Sequence, residues 1–372
     1  IVTIFVYCNF MLHLNKIILT QFKNYHAATF EFKERIVGIC GRNGMGKTNL
    51  LDAINYLCFT KSYFSKTDAF NVQMGTDGFR LLGEFASHTA DIQKVVCIYR
   101  NTAKKELYLN DSAYEKFSSH IGKFPCVVIA PDDVELITGS SEERRKFIDT
   151  VLSQMNAGYL QQLIIYNKVL LQRNSLLKSF AEQQRIDNSL LDVLDDQLIV
   201  PGNEIYMMRK KFCEKIIPIV KEFYTKIADN DEAIELSYES QLNETAFDVL
   251  LKRSRDRNLF LQRSNTGLHK DDINVQLTGR NFKNIASQGQ RKSLLFALKF
   301  AEFEMLKINK GFSPLLLLDD VFEKLDDHRM QNLLKWVCVN NKGQVFITDT
   351  HYERLTSALK NFSEKVQIIE LS

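Results

Sequence analysis

The stretch GRNGMGKT, residues 41–48, matches the phosphate-loop pattern GxxxxGKT at every fixed position. It also stands between the flanks that this pattern requires. The short apolar run RIVGIC (35–40) predicts a buried strand before it, and TNLLDAINYLCF (48–59) carries apolar residues at helical spacing after it. Because a chance match would not bring both flanks, the stretch predicts a nucleoside triphosphate site where a strand meets a helix.

Each residue type in this loop has a physical role. The glycines permit backbone angles that other residues avoid, so the loop amides can turn inward around phosphate oxygens. Lys47 adds a positive charge that also makes it a catalytic candidate, and Thr48 offers a hydroxyl to Mg²⁺. The residues predicted to bind the nucleotide are Gly41, Arg42, Asn43, Gly44, Met45, Gly46, Lys47 and Thr48.

Two acidic residues end a second apolar stretch, PLLLLDDVF (314–322). Ligands of open α/β sheets bind at the carboxyl ends of the buried parallel strands. Asp319 is therefore predicted to hold the Mg²⁺, and Asp320 to accept a proton from the attacking water. Alone, the stretch is more typical of a strand followed by a turn, but a complete phosphate loop in the same chain favours the metal site.

A third strand, QVFIT (344–348), also ends in polar residues. Thr348 or His351 could sense the γ-phosphate there. The alternative is a helix cap in front of YERLTSAL (352–359), which the sequence favours equally.

The stretch SQGQ (287–290) opens the helical run RKSLLFALKFAE (291–302) with small and amide side chains. A helix that begins with Ser and Gly offers free amides and a hydroxyl to an anion. Since the phosphate loop and the carboxylates already form a site within one chain, we expect this anion to belong to a second copy of the chain.

The composition is that of a globular protein, with 45% hydrophobic and 25% charged residues among 372. The net charge of +3 is small, so any basic surface must be local. Seven scattered cysteines without a CxxC pair favour a reducing cytoplasm over a zinc site or a disulfide framework. No apolar run reaches the ~20 residues that a membrane-spanning helix needs.

The order of strand and helix patterns predicts an α/β head interrupted by a helical subdomain. Residues 1–10 are expected to be an N-terminal extension ahead of a natural start at Met11, the alternative being an extra edge strand. The predicted head comprises residues 11–140 and 266–372, and the predicted helical insertion residues 141–265.

Four stretches of the chain, taken together and in their order, resemble the ABC-type ATPase heads of the SMC and Rad50 family. They are the phosphate loop, SQGQ, LLLLDDVFEKLD (315–326) and QVFITDTH (344–351). The fold that the resemblance implies is an α/β P-loop head with mixed β-sheets and an inserted helical subdomain. Stretches that serve no general ATPase purpose extend the resemblance to the repair proteins of that family, from Met11 to the end: LTQFKNY, APDDVELITGSSEERRKFID, YNKVLLQRN, RSRDR and TGLHKDDI.

The resemblance implies that two heads enclose two ATP molecules. Ser287, Gln288, Gly289 and Gln290 would contact the ATP held by the partner, and Leu325 and Asp326 would form the loop that crosses the dimer interface. Gln73 would touch Mg²⁺ and water, and Lys23 and Asn24 would approach the nucleotide. Asp320 stands where many ABC ATPases carry Glu, and its shorter side chain implies slow hydrolysis, so that ATP acts as a dimerisation switch.

The implied function is DNA-dependent ATP hydrolysis in the recombinational repair of single-strand gaps and stalled replication forks. The implied partners are DNA with double-strand to single-strand junctions, and RecR and RecO, which help to load RecA. DNA replication and the SOS response are implied as well. No chemical role is predicted for His269, Asp271 and Asp272.

Three other ATPase classes compete with this hypothesis. A mechanical SMC or Rad50 protein needs a long coiled coil, and a nuclease needs a further cluster of acidic metal ligands; the sequence has neither. A transporter subunit would carry LSGGQ where this chain has ASQGQ. The alternative that remains is another SMC- or Rad50-like head with a mechanical or nuclease-associated role.

Three basic clusters are candidates for phosphate contacts with DNA, although each could equally be a solvated helix face. No aromatic stacking platform is evident from the sequence. The clusters are Arg144, Arg145 and Lys146; Arg209, Lys210 and Lys211; and Arg253, Arg255 and Arg257.

Overall fold

The computed structural model describes residues 11–86, 91–102, 104–183, 186–228, 232, 234–323, 327–362 and 365–372. The expected extension over residues 1–10, together with Leu325 and Asp326, lies outside the described residues. The chain forms two compact units. The first combines the residues up to Asp133 with Phe223–Asn230 and Lys292–Ser372, and the second combines Val134–Glu222 with Asp231–Arg291.

A five-stranded parallel sheet forms the base of the first unit, in the strand order β14-β3-β13-β12-β8. Its inner strands are continuous apolar runs because both faces are covered; all four leucines of β12, for example, are fully buried. The strands are β3 (Ile36–Cys40), β8 (Cys126–Ile129), β12 (Leu315–Leu318), β13 (Val345–Asp349) and β14 (Val366–Glu370). These strands confirm the three predicted from the sequence at 35–40, 315–320 and 344–348.

A six-stranded antiparallel sheet forms the second layer of this unit, in the order β2-β1-β4-β5-β6-β7. Buried and exposed side chains alternate along much of its edge strand β2, as expected where one face is solvated. The strands are β1 (His13–Phe22), β2 (Tyr25–Glu31), β4 (Gly78–Ala86), β5 (Ile92–Arg100), β6 (Lys104–Leu109) and β7 (Ser112–Ala113).

Helix α1 (Lys47–Phe59) packs between these two sheets. It is buried on nearly every side, from Leu50 to Cys58. The two polar side chains in this stretch, Asp52 and Asn55, are hydrogen-bonded within the unit. The core around it joins residues of both sheets, such as Ile17, Ile39 and Leu317. The phosphate loop therefore leads directly into the centre of the unit, where its position is fixed by packing.

Three further helices belong wholly or largely to this unit: α9 (Gln288–Lys310), α10 (Asp327–Lys335) and α11 (Tyr352–Lys360). Helix α9 buries two charged side chains that its apolar pattern did not predict. The Lys299 ammonium lies 3.7 Å from the Glu302 carboxylate and 3.8 Å from Asp133. Burial raises the pKa of Glu302 to about 7, although Lys299 opposes the rise. Glu302 lies on the same helix, so the contact between Lys299 and Asp133 is the one that ties α9 to the turn after β8.

The second unit is mostly helical, and it also contains a strand within residues 141–265. Its helices are α2 (Glu135–Thr138), α3 (Ser141–Met155), α4 (Ala157–Gln183), α5 (Asn188–Ala228), α6 (Phe247–Arg253), α7 (Arg255–Leu261) and α8 (Phe282–Ile285), with the end of α5 assigned to the first unit. Its three-stranded antiparallel sheet has the order β11-β10-β9, with β9 (Ile234–Glu239), β10 (Asp272–Leu277) and β11 (Arg280–Asn281). The stretch IELSYE of β9 alternates with period two and pairs with β10, which explains the strand.

Short 3-10 turns complete the backbone at Asp68–Asn71, Phe117–Ser119, Pro131–Val134, Gln241–Asn243, Leu268–Lys270 and Val321–Glu323. Among the described residues, no helix is both long enough and apolar enough to span a membrane.

Candidate nucleotide site

The phosphate loop joins β3 to α1 with the backbone angles that its glycines allow. Gly44 and Gly46 have φ of 87° and 103°, in the left-handed region that favours glycine. At Gly46 a side chain would also collide, because a Cβ there would lie 2.6 Å from Asn24 Nδ2. The sequence prediction that this loop turns tightly between a strand and a helix is confirmed.

Lys47 is almost completely buried, with 4% of its surface exposed. Its ammonium donates to the carbonyl oxygens of Gly41 at 2.8 Å and Arg42 at 3.3 Å. The loop therefore closes around the cation, which places a positive charge at the centre of the loop, where an anion would be received.

The carboxylate of Asp319 meets two threonine hydroxyls at the end of β12. Thr48 Oγ1 lies 2.9 and 3.0 Å from the two carboxylate oxygens, and Thr348 Oγ1 donates to Oδ1 at 2.8 Å. Parallel pairing of β12 with β13 brings Thr348 to this position, since Leu318 pairs with Ile347. The predicted pair of oxygen ligands, Thr48 and Asp319, is thus in contact although the two lie far apart in sequence.

Thr348 also receives a hydrogen bond, from the amide of Asp320 at 2.9 Å. Asp320 has a φ of 46°, which is uncommon for a residue with a side chain. Burial raises the pKa of Asp319, while the hydrogen bonds from Thr348 and Thr48 act to lower it. The Thr348 hydroxyl therefore faces the two acids and is buried. Of the two candidates for a γ-phosphate sensor, Thr348 and His351, only His351 is exposed.

His351 lies just before α11 with 67% of its side chain exposed. Its amide donates to Asp349 Oδ1 at 3.0 Å, and Arg354 holds the same carboxylate through two nitrogens. Burial favours a higher pKa for Asp349, but these hydrogen bonds outweigh it and the pKa is lowered. His351 is the N-cap residue of α11 without a side-chain cap bond, so its imidazole takes no part in the helix-cap alternative.

The turn between β1 and β2 contacts the phosphate loop directly. Asn24 Nδ2 donates to the carbonyl of Met45 at 3.3 Å, and the Tyr25 hydroxyl donates to the carbonyl of Gly46 at 3.0 Å. Lys23 instead forms an ion pair with Asp52 of α1 at 2.5 Å. Asn24 therefore lies at the loop as expected, whereas the ammonium of Lys23 is engaged by α1.

Gln73 contacts Gln21 and His26. Its amide donates to the carbonyl of Gln21 at 2.9 Å, and its side-chain oxygen lies 3.2 Å from His26 Nδ1. The expected contact of Gln73 with Mg²⁺ and water stays a prediction.

The stretch SQGQ (287–290), which belongs to the second unit, forms a reciprocal cap at the start of α9. Ser287 Oγ accepts from the amide of Gln290 at 3.2 Å, and the side-chain oxygen of Gln290 accepts from the amide of Ser287 at 2.7 Å. This capping box satisfies two amides of the helix start. Ser287 and Gln288 are exposed, and Gly289 is half-buried, so this end of the helix faces solvent in the single chain.

Several of the basic candidates for DNA contacts are committed to carboxylates. Arg144 holds Asp272 through two nitrogens at 2.6 and 2.9 Å, and Arg209 is buried between Asp149 and Asp271. These pairs also explain TGLHKDDI, whose acids serve the packing of α3 and α5. Arg144 and Arg209 are therefore structural, whereas Lys210 and Lys211 are exposed.

Sequence reasoning did not predict that Tyr25 contacts the phosphate loop or that Thr348 contacts Asp319. Tyr25 carries no pattern of its own, since it lies at the start of an ordinary strand. For Thr348 a signal existed: parallel strands that end together bring their last residues side by side.

Comparisons with known proteins show which family the sequence resembles. Residues 13–72 match the family model for the RecF/RecN/SMC N terminal domain. The chain is 41% identical to the DNA replication and repair protein RecF of Flavobacterium johnsoniae, over 97% of this chain and all of that protein. It is 38% identical to the RecF of Bacteroides thetaiotaomicron, over 96% of each chain.

Solved structures agree as well. A structure of the recombination mediator protein RecF with ATP in the RecFOR pathway superposes with a TM-score of 0.84, at 29% identity over 92% of each chain. An Smc head domain from Pyrococcus furiosus, bound to the C-terminal domain of ScpA, shares the fold with a TM-score of 0.58 at 15% identity, over 97% of this chain and 94% of that one.

The predicted fold class, an ABC-type ATPase head with mixed sheets, is confirmed by these likenesses, and the RecF relatives favour the repair hypothesis over the alternative head with a mechanical role. From its sequence over nearly the full length and from its fold, the chain belongs to the RecF family of DNA replication and repair proteins.

Proposed function

We propose that this chain is a slow, DNA-dependent ATPase that ATP closes into a two-fold dimer on DNA. The single observation that carries the proposal is the convergence of Lys47, Thr48 and Asp319 at one loop. This set supplies a buried cation and two oxygen ligands, and it fits the phosphates and Mg²⁺ of a bound nucleotide. The ATP-bound RecF relative supports the same ligand.

Each residue around the phosphate loop has a separate role in binding or hydrolysing ATP. The amides of residues 41–48 hold the phosphates, and Lys47 neutralises part of their charge. Thr48 and Asp319 would hold the Mg²⁺, which would neutralise further charge, and Gln73 would be a third ligand. Asp320 accepts the proton of the attacking water. Its short side chain supports slow hydrolysis, which suits a switch better than a motor.

The trans contact completes the proposal. Ser287 and Gly289 of one copy approach the γ-phosphate bound by the other, and Asp326 lies in the loop at the dimer interface. Because ATP bridges only the closed state, it shifts the population toward the dimer. His351 senses the γ-phosphate from β13.

The biological setting follows from the family. The proposed setting is the cytoplasm, on DNA with single-strand gaps and duplex junctions at stalled forks, with roles in replication and in the SOS response. The names of the relatives support DNA replication and repair. RecR and RecO are the proposed partners, and loading of RecA is the proposed outcome.

The first test is the mass of the purified chain by light scattering. We expect a monomer with ADP and a dimer with ATP·Mg²⁺, and we expect gapped duplex DNA to lower the ATP concentration needed. A mass that does not respond to nucleotide would refute the switch while leaving an ATP-binding protein.

A second prediction concerns Thr348→Val, which removes the hydroxyl at nearly constant volume. Asp319 loses a donor that favours its ionised form, and the Asp320 amide loses its acceptor. We expect hydrolysis to fall about 10- to 100-fold, the equivalent of one or two strong hydrogen bonds. Since the pKa of Asp319 rises further, half-maximal Mg²⁺-dependent nucleotide binding moves to higher pH.

The measurement is the pH profile of Mg²⁺-dependent binding of a fluorescent ATP analogue. Thr348→Ser should restore the profile. Thr356→Val is the matched control, because the Thr356 hydroxyl is buried without a hydrogen-bond partner among the described residues. An unshifted profile in Thr348→Val would assign Thr348 a packing role only.

A further inference from the structure

An exposed aromatic ring stands out on the second unit. Phe260 on α7 is 85% exposed, more than any other aromatic side chain that the structure describes. Its neighbours Leu259 and Leu261 are half-buried, and Leu259 packs against the cluster of Leu177, Phe180 and Leu191. The apolar stretch NLFL (258–261) is typical of a buried segment, but α7 places the side chain of Phe260 at the surface.

The inner side of α7 is held by a polar network, so the backbone position from which Phe260 projects is fixed. Asn258 is fully buried, accepts from the amide of Asn265 at 2.9 Å and donates to Ser254 Oγ at 3.0 Å. Arg255 donates to Asp195 of α5 at 2.9 Å, and also contacts Asp192. Because this backbone is already fixed, only the two side-chain torsions of Phe260 become ordered when the ring binds a ligand.

Three exposed arginines lie near this ring in the sequence, together with one exposed carboxylate, Asp256. Arg253, Arg257 and Arg263 are exposed and form no ion pair with any carboxylate that the structure describes. Only Ser254 separates α6 from α7, and it keeps helical backbone angles and the hydrogen bond from the Asn258 amide. Arg253, Arg257 and Phe260 thus follow one another at spacings of four and three residues, which place side chains on one helix face.

We propose that this face of α6 and α7 binds single-stranded DNA, with Phe260 stacking on an unpaired base and the three arginines contacting phosphates. The inference rests on the proposed function and adds the surface on which the unpaired strand lies. A stacking ring needs a base that is free of its neighbours, as in a gap, and combined rings and cations are how proteins hold such strands.

The test is fluorescence anisotropy of the full chain with ATP·Mg²⁺, on labelled oligo-dT and on a blunt duplex. Phe260→Ala should weaken oligo-dT binding about 5- to 150-fold, with little change on the duplex, and Phe260→Trp should restore it. Arg253→Gln with Arg257→Gln should lower the slope of log affinity against log salt by about 1.4, or ~0.7 for each lost phosphate contact, whereas Phe260→Ala should leave this slope unchanged.

Two matched controls lie in the same unit. Leu171→Ala removes another exposed apolar side chain, 70% exposed on α4, and Lys168→Gln with Lys178→Gln removes two exposed charges from the same helix. Wild-type affinity of Phe260→Ala for oligo-dT, or equal losses on both DNAs, would overturn the surface; intact DNA binding with lost RecR or RecO binding would assign it to a protein partner. If the wild-type chain closes with ATP but binds neither DNA, the proposed function itself fails.

Discussion

Replacing Lys47 by Ala is expected to weaken ATP binding by two orders of magnitude or more while the chain stays folded. The buried ammonium is the cation that the loop carbonyls of Gly41 and Arg42 enclose. In the nucleotide complex it exchanges these carbonyls for phosphate oxygens, and a charge-assisted contact of this kind contributes about 3 kcal/mol or more. Each ~1.4 kcal/mol corresponds to a factor of ten in affinity.

The measurement is equilibrium binding of ATP by calorimetry, with Mg²⁺ present, alongside the thermal unfolding midpoint. Lys33→Ala is the control, because Lys33 is exposed and its side chain makes no ion pair among the described residues. Tight binding of ATP·Mg²⁺ by a folded Lys47→Ala chain would contradict the assignment of residues 41–48 to the phosphates.

Local sequence patterns predicted the central strands and the central helix of the first unit. The loop GRNGMGKT with its flanks predicted β3 and α1, and the leucine run predicted β12. Such predictions succeed because buried parallel strands and a buried helix require apolar residues at fixed spacing. The resemblance added what spacing cannot supply, namely that SQGQ belongs with the phosphate loop at all.

The contacts that complete the site depend on tertiary pairing instead. The residues of QVFIT alone do not predict that Thr348 contacts Asp319. This contact depends on the register in which β12 pairs with β13. The same holds for Arg209, whose charge suggested a DNA contact until its buried partners Asp149 and Asp271 were seen. Phe260 is the converse case, an apolar residue in a core-like pattern that the fold leaves outside.

Ser287→Arg is expected to leave ATP binding by the single chain unchanged and to abolish the ATP-dependent dimer. In the proposed dimer, the exposed start of α9 contacts the γ-phosphate that the partner binds. A long arginine side chain at position 287 would occupy the space of that phosphate. Light scattering with ATP·Mg²⁺ should therefore give the monomer mass at every nucleotide concentration, while calorimetry reports wild-type affinity.

The substitution also removes a helix cap, which by itself costs about 1 kcal/mol, and the control must reproduce that loss. Ser140→Arg does so, because Ser140 Oγ caps α3 by accepting from the amide of Glu142 in the same unit. If Ser140→Arg dimerises and Ser287→Arg does not, the defect lies in the trans contact and not in helix stability. A normal ATP-dependent dimer of Ser287→Arg would instead show that SQGQ serves only as the capping box seen within the chain, and the shared site between two copies would have to be sought elsewhere.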